Sequence, residues 1–570
     1  MQKFNELKYE RINYEDTKDK VESLIVKLPE CLDYHEYLSI VKEINAIQNH
    51  IEEMADYADI CNMRDMDDAY WQEEITYWNT NKNKFDALFL SFYQEILSSK
   101  FKNQLKEDLP DNFFRVITSQ LKTVSSRNDE LIKKENELKR QYRALNKKEI
   151  IFEGKPTTIG AVSGLFSSKD RAIRKKAHDT VNDFYYANKD EYQSILFEAI
   201  NVRNAIARNA GFQNYVDYSL YKLKRFGYDY NDIHEFRNSI VKYIVPLCQK
   251  MSKWQQEELN LDELFYYDTV FFTEMPELRV KGADLLSELK DSFQTVDTDL
   301  YKLYTEMLDN GYIDFLPRAS KVNFSITNYL TETAMPVITG NYKNTYHDVG
   351  STTHEIGHAF QKYCASLEDR NHIVSPLLKY PTMEIAEMFS HAMELIMSDK
   401  VEGLFASDDY QKYSFMNIYN FVSLLPYICA VDEFQELIYS KEDLKVTDIN
   451  DTWLKVAKKY HLDKNNKGHI NLDNGGYYYR QSHIFLDPFY YIDYALSYVG
   501  AILIWHNSKE NLDFFKEVGK VASYYSYKDL ITIYDMPNPF NEEVIASMAK
   551  ELDSELIKRR ILKKSLFAQR

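Results

Sequence analysis

Apolar residues recur three and four positions apart along most of the chain, the spacing of helices with one face turned inward. From about Asn5 to Leu145 the pattern holds, and it carries charged segments such as Leu131–Gln141 (LIKKENELKRQ) that read as solvated helix faces. Around Thr157–Ser168 (TTIGAVSGLFSS) small residues and glycine mark a hinge or loop, after which helical periodicity resumes over Lys169–Ile206. Val322–Gly340 (VNFSITNYLTETAMPVITG) differs: β-branched residues in partial alternation predict a small sheet, and Pro336 predicts that its strand is an edge strand. Helical patterning then continues to the end, broken by the polar loop Asp463–Gly476, and no repeat of fixed period appears. The expected fold is mainly α with one small β-sheet, organised as an N-terminal helical domain over 1–200 and a second domain over 201–570 that carries the chemistry below.

Composition supports this reading. Only 16 glycines and 13 prolines interrupt 570 residues, and 44% hydrophobic with 28% charged residues is ordinary for a soluble globular protein. A formal net charge of −18 argues against nucleic acid as a partner. The basic stretch Lys558–Arg560 with Lys563 and Lys564 reads as a solvated helix end. Five scattered cysteines without a CxxC pair suit reduced thiols. Met1–Lys20 is charged throughout and shows no secretory signal. Apolar stretches such as Phe415–Val431 and Tyr494–Trp505 are interrupted or too short to span a bilayer. A cytoplasmic protein with no membrane role is expected.

Residues 351–361 read STTHEIGHAFQ. His354 and His358, four apart, share one face of a helix and can bind one Zn²⁺ at about 2.0–2.1 Å. Glu355 is placed to take a proton from an attacking water without ligating. Ser351, Thr352 or Thr353 is expected to cap the helix. A catalytic site needs a third protein ligand, and Gln361 rules out the third histidine of HExxHxxGxxH. The helix predicted over residues 380–395 (YPTMEIAEMFSHAMEL) offers Glu384, Glu387 and Glu394 on a largely apolar background, where carboxylates are costly unless paired or metal-bound.

HEIGHAFQ followed by E-x-x-S-x-x-x-E resembles the oligoendopeptidase F, thimet oligopeptidase and neurolysin group of zinc peptidases. The resemblance implies one Zn²⁺ per chain held by His354, His358 and Glu387, with Glu384 free to orient a ligating histidine. Met388, Phe389 and His391 depart from the expected fillers, and His391 is placed to hydrogen-bond Glu387 or to be simply buried. Residues 480–498 (RQSHIFLDPFYYIDYALSY) are similar to the family's histidine and tyrosine-rich helix near the C-terminus. By that resemblance His483 contacts the substrate carbonyl region and Tyr491 or Tyr494 donates to the oxyanion, while spacing alone also admits the pair Tyr490 and Tyr494. Gly475 and Gly476 read as a hinge, a substrate loop or an ordinary turn. The family further implies an almost wholly helical fold around a deep channel that admits unfolded oligopeptides, with backbone pairing to the strand that ends near Thr339–Gly340. The alternative is a helical peptide-binding protein without catalysis, against which the intact His354, Glu355 and His358 argue.

Overall fold

Side-chain caps start the helices that the periodicity predicts. Asn13, Asp33 and Asp68 precede helices Tyr14–Lys27, Tyr34–Arg64 and Ala69–Leu88, and each accepts from a backbone N–H of the first turn. The computed structural model describes residues 2–367, 375–462 and 466–567, with side chains throughout except at 407 and 561–567. Helices dominate these residues. Residues 463–465 of the polar loop and the side chains of Lys563 and Lys564 lie outside this description, as does the 368–374 connection.

Among the described residues two large apolar cores form, beside a small cluster of Tyr266, Tyr267 and Leu472. The smaller uses residues between Val21 and Ile117, and the larger runs from the first residues to Leu556. Helix Tyr34–Arg64 serves both, since Val41 and Ile51 pack in the smaller core and Tyr57, Ile60 and Met63 in the larger. Residue 200, the expected domain boundary, falls inside helix Lys189–Asn209, and Ile200 is buried in the larger core. The segment expected to be a hinge or loop, residues 157–168, follows a hairpin and folds mostly into short helical turns at Ile159–Ser163 and Gly164–Ser167. Strands β1 (Ile150–Phe152) and β2 (Lys155–Thr157) form a hairpin, and Thr158 caps a short helix at Ile159–Ser163.

The expected sheet consists of β3 (Ile313–Asp314), β4 (Ile326–Leu330) and β5 (Met335–Thr339) in the order β3-β5-β4. Pro336 therefore sits in the central strand and not at an edge. It is tolerated because β3 pairs only with Ile338 and Thr339, so at Pro336 that side of β5 has no partner for an N–H to meet. β4 and the short β3 are the edge strands and β5 lies between them, so β4 rather than β5 offers the longer edge to a peptide backbone. Helix Tyr34–Arg64 pins the sheet: buried Glu53 accepts from the turn residue Thr333 through its hydroxyl at 2.6 Å, and the Arg64 guanidinium donates to the Gly311 carbonyl at 3.0 Å.

Three helices stack beside the sheet. Met383–Ser398 lies between His347–Ser366 and Ile492–Asn507, and nearly all of its side chains are buried. An all-round apolar helix is the expected signature of that central position. Phe415–Val431 lies within one long helix, Ser407–Ser440, whose length and composition would suit a bilayer. However, 67% of its apolar window is buried inside the protein, and core packing accounts for the composition.

Candidate active site

The helix bearing the histidines begins at His347, four residues before the predicted caps. Asp348 accepts from the backbone N–H of Lys343 and Thr345, both at 3.1 Å, and so orders the entry turn. Thr352 instead donates back to the Asp348 carbonyl at 2.8 Å.

His354 and His358 project toward the neighbouring helix, where they meet Glu387. The Nε2 atoms lie 3.3 Å and 3.6 Å from Glu387 Oε2. A tetrahedral ion with donors at 2.0–2.1 Å separates its ligand atoms by about 3.3 Å. The donor types and spacing of this triad therefore fit a single divalent cation, and its candidate ligand atoms all lie within 4.8 Å of one another. Hydrogen bonding to His354 and His358 holds the Glu387 carboxyl well below the ordinary carboxylate range, although burial works the other way. Ser390 donates to Glu387 Oε2 at 2.9 Å and Tyr490 to Oε1 at 3.2 Å, which fixes the carboxylate's orientation.

Glu384 does not join this cluster. It faces away, accepts from Tyr228 Oη at 3.1 Å, and is 1% exposed; burial raises its carboxyl above the usual range. The residue that orients a ligating histidine is Glu394, whose Oε1 lies 2.7 Å from His354 Nδ1. The same oxygen lies 3.1 Å from His391 Nδ1, so His391 meets Glu394 and not Glu387. Residues 387 and 394 each lie one helical turn from 391, so spacing left both open, and the observed contact selects Glu394. Glu394→Gln is expected to weaken metal binding about 10–100-fold, measurable by competition with a chromogenic chelator.

Gly357 sets the approach of the two helices. A Cβ there would stand 2.7 Å from both the Phe389 carbonyl oxygen and Ser390 Cα, which are backbone atoms of the helix carrying Glu387. Gly357→Ala must push the helices apart. A destabilisation of about 1–3 kcal/mol in urea unfolding is expected, with loss of metal affinity.

Glu355, 5% exposed, points past the triad into a cleft of about 500 Å³ whose lining includes His354, Phe324, Phe421 and Leu424. The Thr327 hydroxyl, from the edge strand β4, lies 2.6 Å from Glu355 Oε2 and 3.0 Å from Glu355's own carbonyl oxygen. The β4 edge thereby holds the acid in place.

The C-terminal segment completes the site. Tyr490 and Tyr494 are 3.0 Å apart at their hydroxyls, and Tyr490 also reaches Glu387. Burial raises both phenols well above their ordinary value, with the Glu387 charge adding to it, so both remain donors. The Tyr491 ring lies 4.7 Å from the His483 ring and 5.7 Å from the Tyr494 ring, and packs edge-on at 6.1 Å against Tyr427. Only Tyr494 of the three lies in helix Ile492–Asn507; Tyr490 and Tyr491 sit in the turn before it. Tyr427 donates to Gln481 Oε1 at 2.8 Å, which directs Gln481 Nε2 at His483 Nδ1, 2.7 Å away. Nδ1 is thus the acceptor and Nε2 carries the proton. Burial lowers the His483 pKa, which keeps the ring neutral.

Two buried arginines hold this segment from the chain's first half. Arg203 donates to the Phe485 carbonyl at 2.6 Å, to Glu135 at 2.8 Å and to Tyr439 Oη at 2.8 Å. Arg225 donates to the Phe489 carbonyl at 2.7 Å and to Asp493. Phe489 has φ +68°, costly for a bulky residue, and its N–H is also tied to Gln435 Oε1 at 3.1 Å. Thr327, Tyr427 and the arginines were not legible as site residues in the sequence, since each acts through contacts far along the chain, while Glu394 was among the carboxylates the sequence offered but without its role.

The description "Peptidase family M3" matches residues 288–526, and "Peptidase M3 N-terminal domain" matches residues 4–124. The structure titled "PZ peptidase A with inhibitor 2" superposes with a TM-score of 0.90 at 27% identity, covering 98% of this chain and 99% of that one. The oligoendopeptidase F homolog of Borreliella burgdorferi is 22% identical over 62% of this chain, and oligopeptidase PepF of Bacillus subtilis 24% over 54%. Those matches span 59% and 46% of the two relatives' own lengths. With a mainly α architecture, a histidine–histidine–glutamate cluster and two family domains matched over more than half of its length, the chain belongs to peptidase family M3.

Proposed function

We propose that this protein is a zinc-dependent endopeptidase that hydrolyses short, unfolded oligopeptides. The observation that carries the reading is the convergence of His354 Nε2 and His358 Nε2 on Glu387 Oε2, beside a Glu355 carboxylate that stands outside this cluster and is held by Thr327. His354, His358 and Glu387 would hold the ion, and His₂Glu donors favour zinc. When bound, zinc supplies Lewis-acid polarisation of the scissile carbonyl and lowers the pKa of water.

The chain's own residues do the rest. Glu355, steadied through Oε2 by Thr327, accepts a proton from the attacking water and returns it to the leaving amine. Tyr491 or Tyr494, or Tyr490 in the same cluster, and the Nε2–H of His483 donate to the carbonyl oxygen as negative charge develops on it. The free edge of β4 aligns the peptide backbone by strand addition, which leaves side-chain choice broad. A cytoplasmic setting belongs to the proposal and is supported by five cysteines that form no disulfide.

The test is hydrolysis of an internally quenched peptide of about ten residues, a length suited to an extended cleft. Cleavage is expected to stop after metal chelation and to return with stoichiometric zinc. Cleavage that persists in the chelated, metal-free protein would refute the assignment.

A further inference from the structure

Tyr380 meets the edge strand of the sheet without belonging to the sheet, the metal cluster or the proposed hydrolytic residues. It lies just ahead of helix Met383–Ser398 and is 39% exposed. Its hydroxyl accepts the backbone N–H of Tyr329, in β4, at 2.9 Å. Along an antiparallel strand, alternate residues turn their N–H and C=O toward opposite neighbours. Tyr329 lies opposite Pro336 of β5 and sends its own N–H away from that strand. Its backbone groups therefore belong to the outer edge of β4, and two residues earlier Thr327 presents the next outward pair.

A strand added at this edge would lie about 4.8 Å from β4 and bring a carbonyl oxygen about 2.9 Å from each outward N–H. At Tyr329 that place is taken by Tyr380 Oη. Thr327 is different, and it is the residue whose hydroxyl lies 2.6 Å from Glu355 Oε2. The edge is thus open beside the proposed base and closed one pairing position further on, about 7 Å along the strand.

The phenol is held firmly. Lys362, one turn beyond His358 on the histidine helix, is buried, and its Nζ lies 4.2 Å from the centre of the Tyr380 ring. The same Nζ donates to the Lys379 carbonyl at 2.6 Å. Lys379 pairs through its side chain with Asp56 of helix Tyr34–Arg64, and Pro381 restrains the backbone on the other side. Tyr380 is fastened to the histidine helix and to the N-terminal helix at once. It cannot swing aside without breaking these contacts, which makes it a stop and not a lid.

Resting on the peptidase reading above and its strand addition at β4, we propose that Tyr380 ends the substrate lane and limits a peptide to about two residues on the Tyr329 side of the scissile bond. A longer segment on that side must leave the strand and lose its backbone pairing. The cut is then measured from one end of the peptide, while the other end varies freely.

Two nested series of unlabelled peptides around one scissile bond test this, the first lengthened residue by residue at the amino end and the second at the carboxyl end. Products are followed by chromatography and mass spectrometry. Wild type is expected to tolerate one series. In the other it should lose roughly tenfold to a hundredfold in kcat/KM, mainly through KM, once more than about two residues lie beyond the bond. A cut that moves along the longer peptides to keep that end at about two residues reports the same limit. Tyr380→Ala and Tyr380→Leu, neither of which reaches the Tyr329 N–H, are each checked by thermal unfolding. Both are expected to shrink the loss to about threefold or less. Equal tolerance of both series by wild type, or a loss that survives in whichever variants stay folded, overturns the proposal. The same peptides are titrated calorimetrically onto Glu355→Gln, a readout that needs no turnover. Length-selective binding without any hydrolysis by wild type would sink the peptidase reading and spare Tyr380, whereas hydrolysis without length selection would do the reverse.

Discussion

Glu355→Gln is expected to lower kcat on a quenched peptide about 10²–10⁴-fold, the usual contribution of a positioned general base. That loss corresponds to about 3–5 kcal/mol in the barrier. The amide is nearly isosteric with the carboxylate, and its oxygen can still accept from Thr327, so the cleft wall and β4 keep their contact. Metal content should be unchanged, because the proposed ligand set comprises His354, His358 and Glu387 and excludes Glu355. KM should move little, since the variant loses a proton acceptor and no substrate contact. A variant that binds its metal and retains more than about a tenth of wild-type kcat would remove Glu355 from its role as base. Loss of metal along with activity would show that Glu355 belongs to the structure of the site.

Arg225→Met should be the most damaging single change outside the cluster. The guanidinium is fully buried and ties Asp493 and the Phe489 carbonyl together. Methionine fills much of the volume but leaves the Asp493 carboxylate buried without its cation, a change that costs about 3–5 kcal/mol. Urea unfolding should show that loss. Activity should also fall under conditions where the variant remains folded, because Phe489, held at positive φ, immediately precedes Tyr490. Adding Asp493→Leu removes the orphaned charge and should restore most of the stability, while the free Phe489 carbonyl leaves Tyr490 poorly placed and kcat low. Recovery of both together would mean that the pair matters only for folding. A loss below about 1 kcal/mol in the single variant would contradict the ion-pair account.

What the sequence made legible and what it hid divide along physical lines. The convergence of His354, His358 and Glu387 was readable because the two histidines lie on one helix at i and i+4, and the glutamate sits on an apolar helix where a buried carboxylate demands a partner. The mainly α fold was readable from periodicity and from the scarcity of glycine and proline. Strand order was not: Pro336 signals an edge only where both sides of its strand would otherwise be paired, and β3 is too short to reach it. The role of Glu394 was hidden because it depends on the rotation of one helix against another, as Gly357 permits. Helical spacing could not place Tyr490, Tyr491 and Tyr494 relative to one another, because two of the three precede the helix and follow the positive-φ residue Phe489. The setting of His483 by Gln481 and Tyr427 likewise joins residues 54 positions apart.

The central claim is that His354, His358 and Glu387 hold one catalytic metal ion. Elemental analysis of the purified protein and of Glu387→Ala, with peptide hydrolysis measured on the same samples, tests it most directly. The account predicts about one zinc per chain and cleavage in wild type, and both lost together in the variant, as a three-residue site that keeps one position open requires. A wild-type protein that cleaves without metal, or a Glu387→Ala protein that retains both zinc and activity, would contradict it.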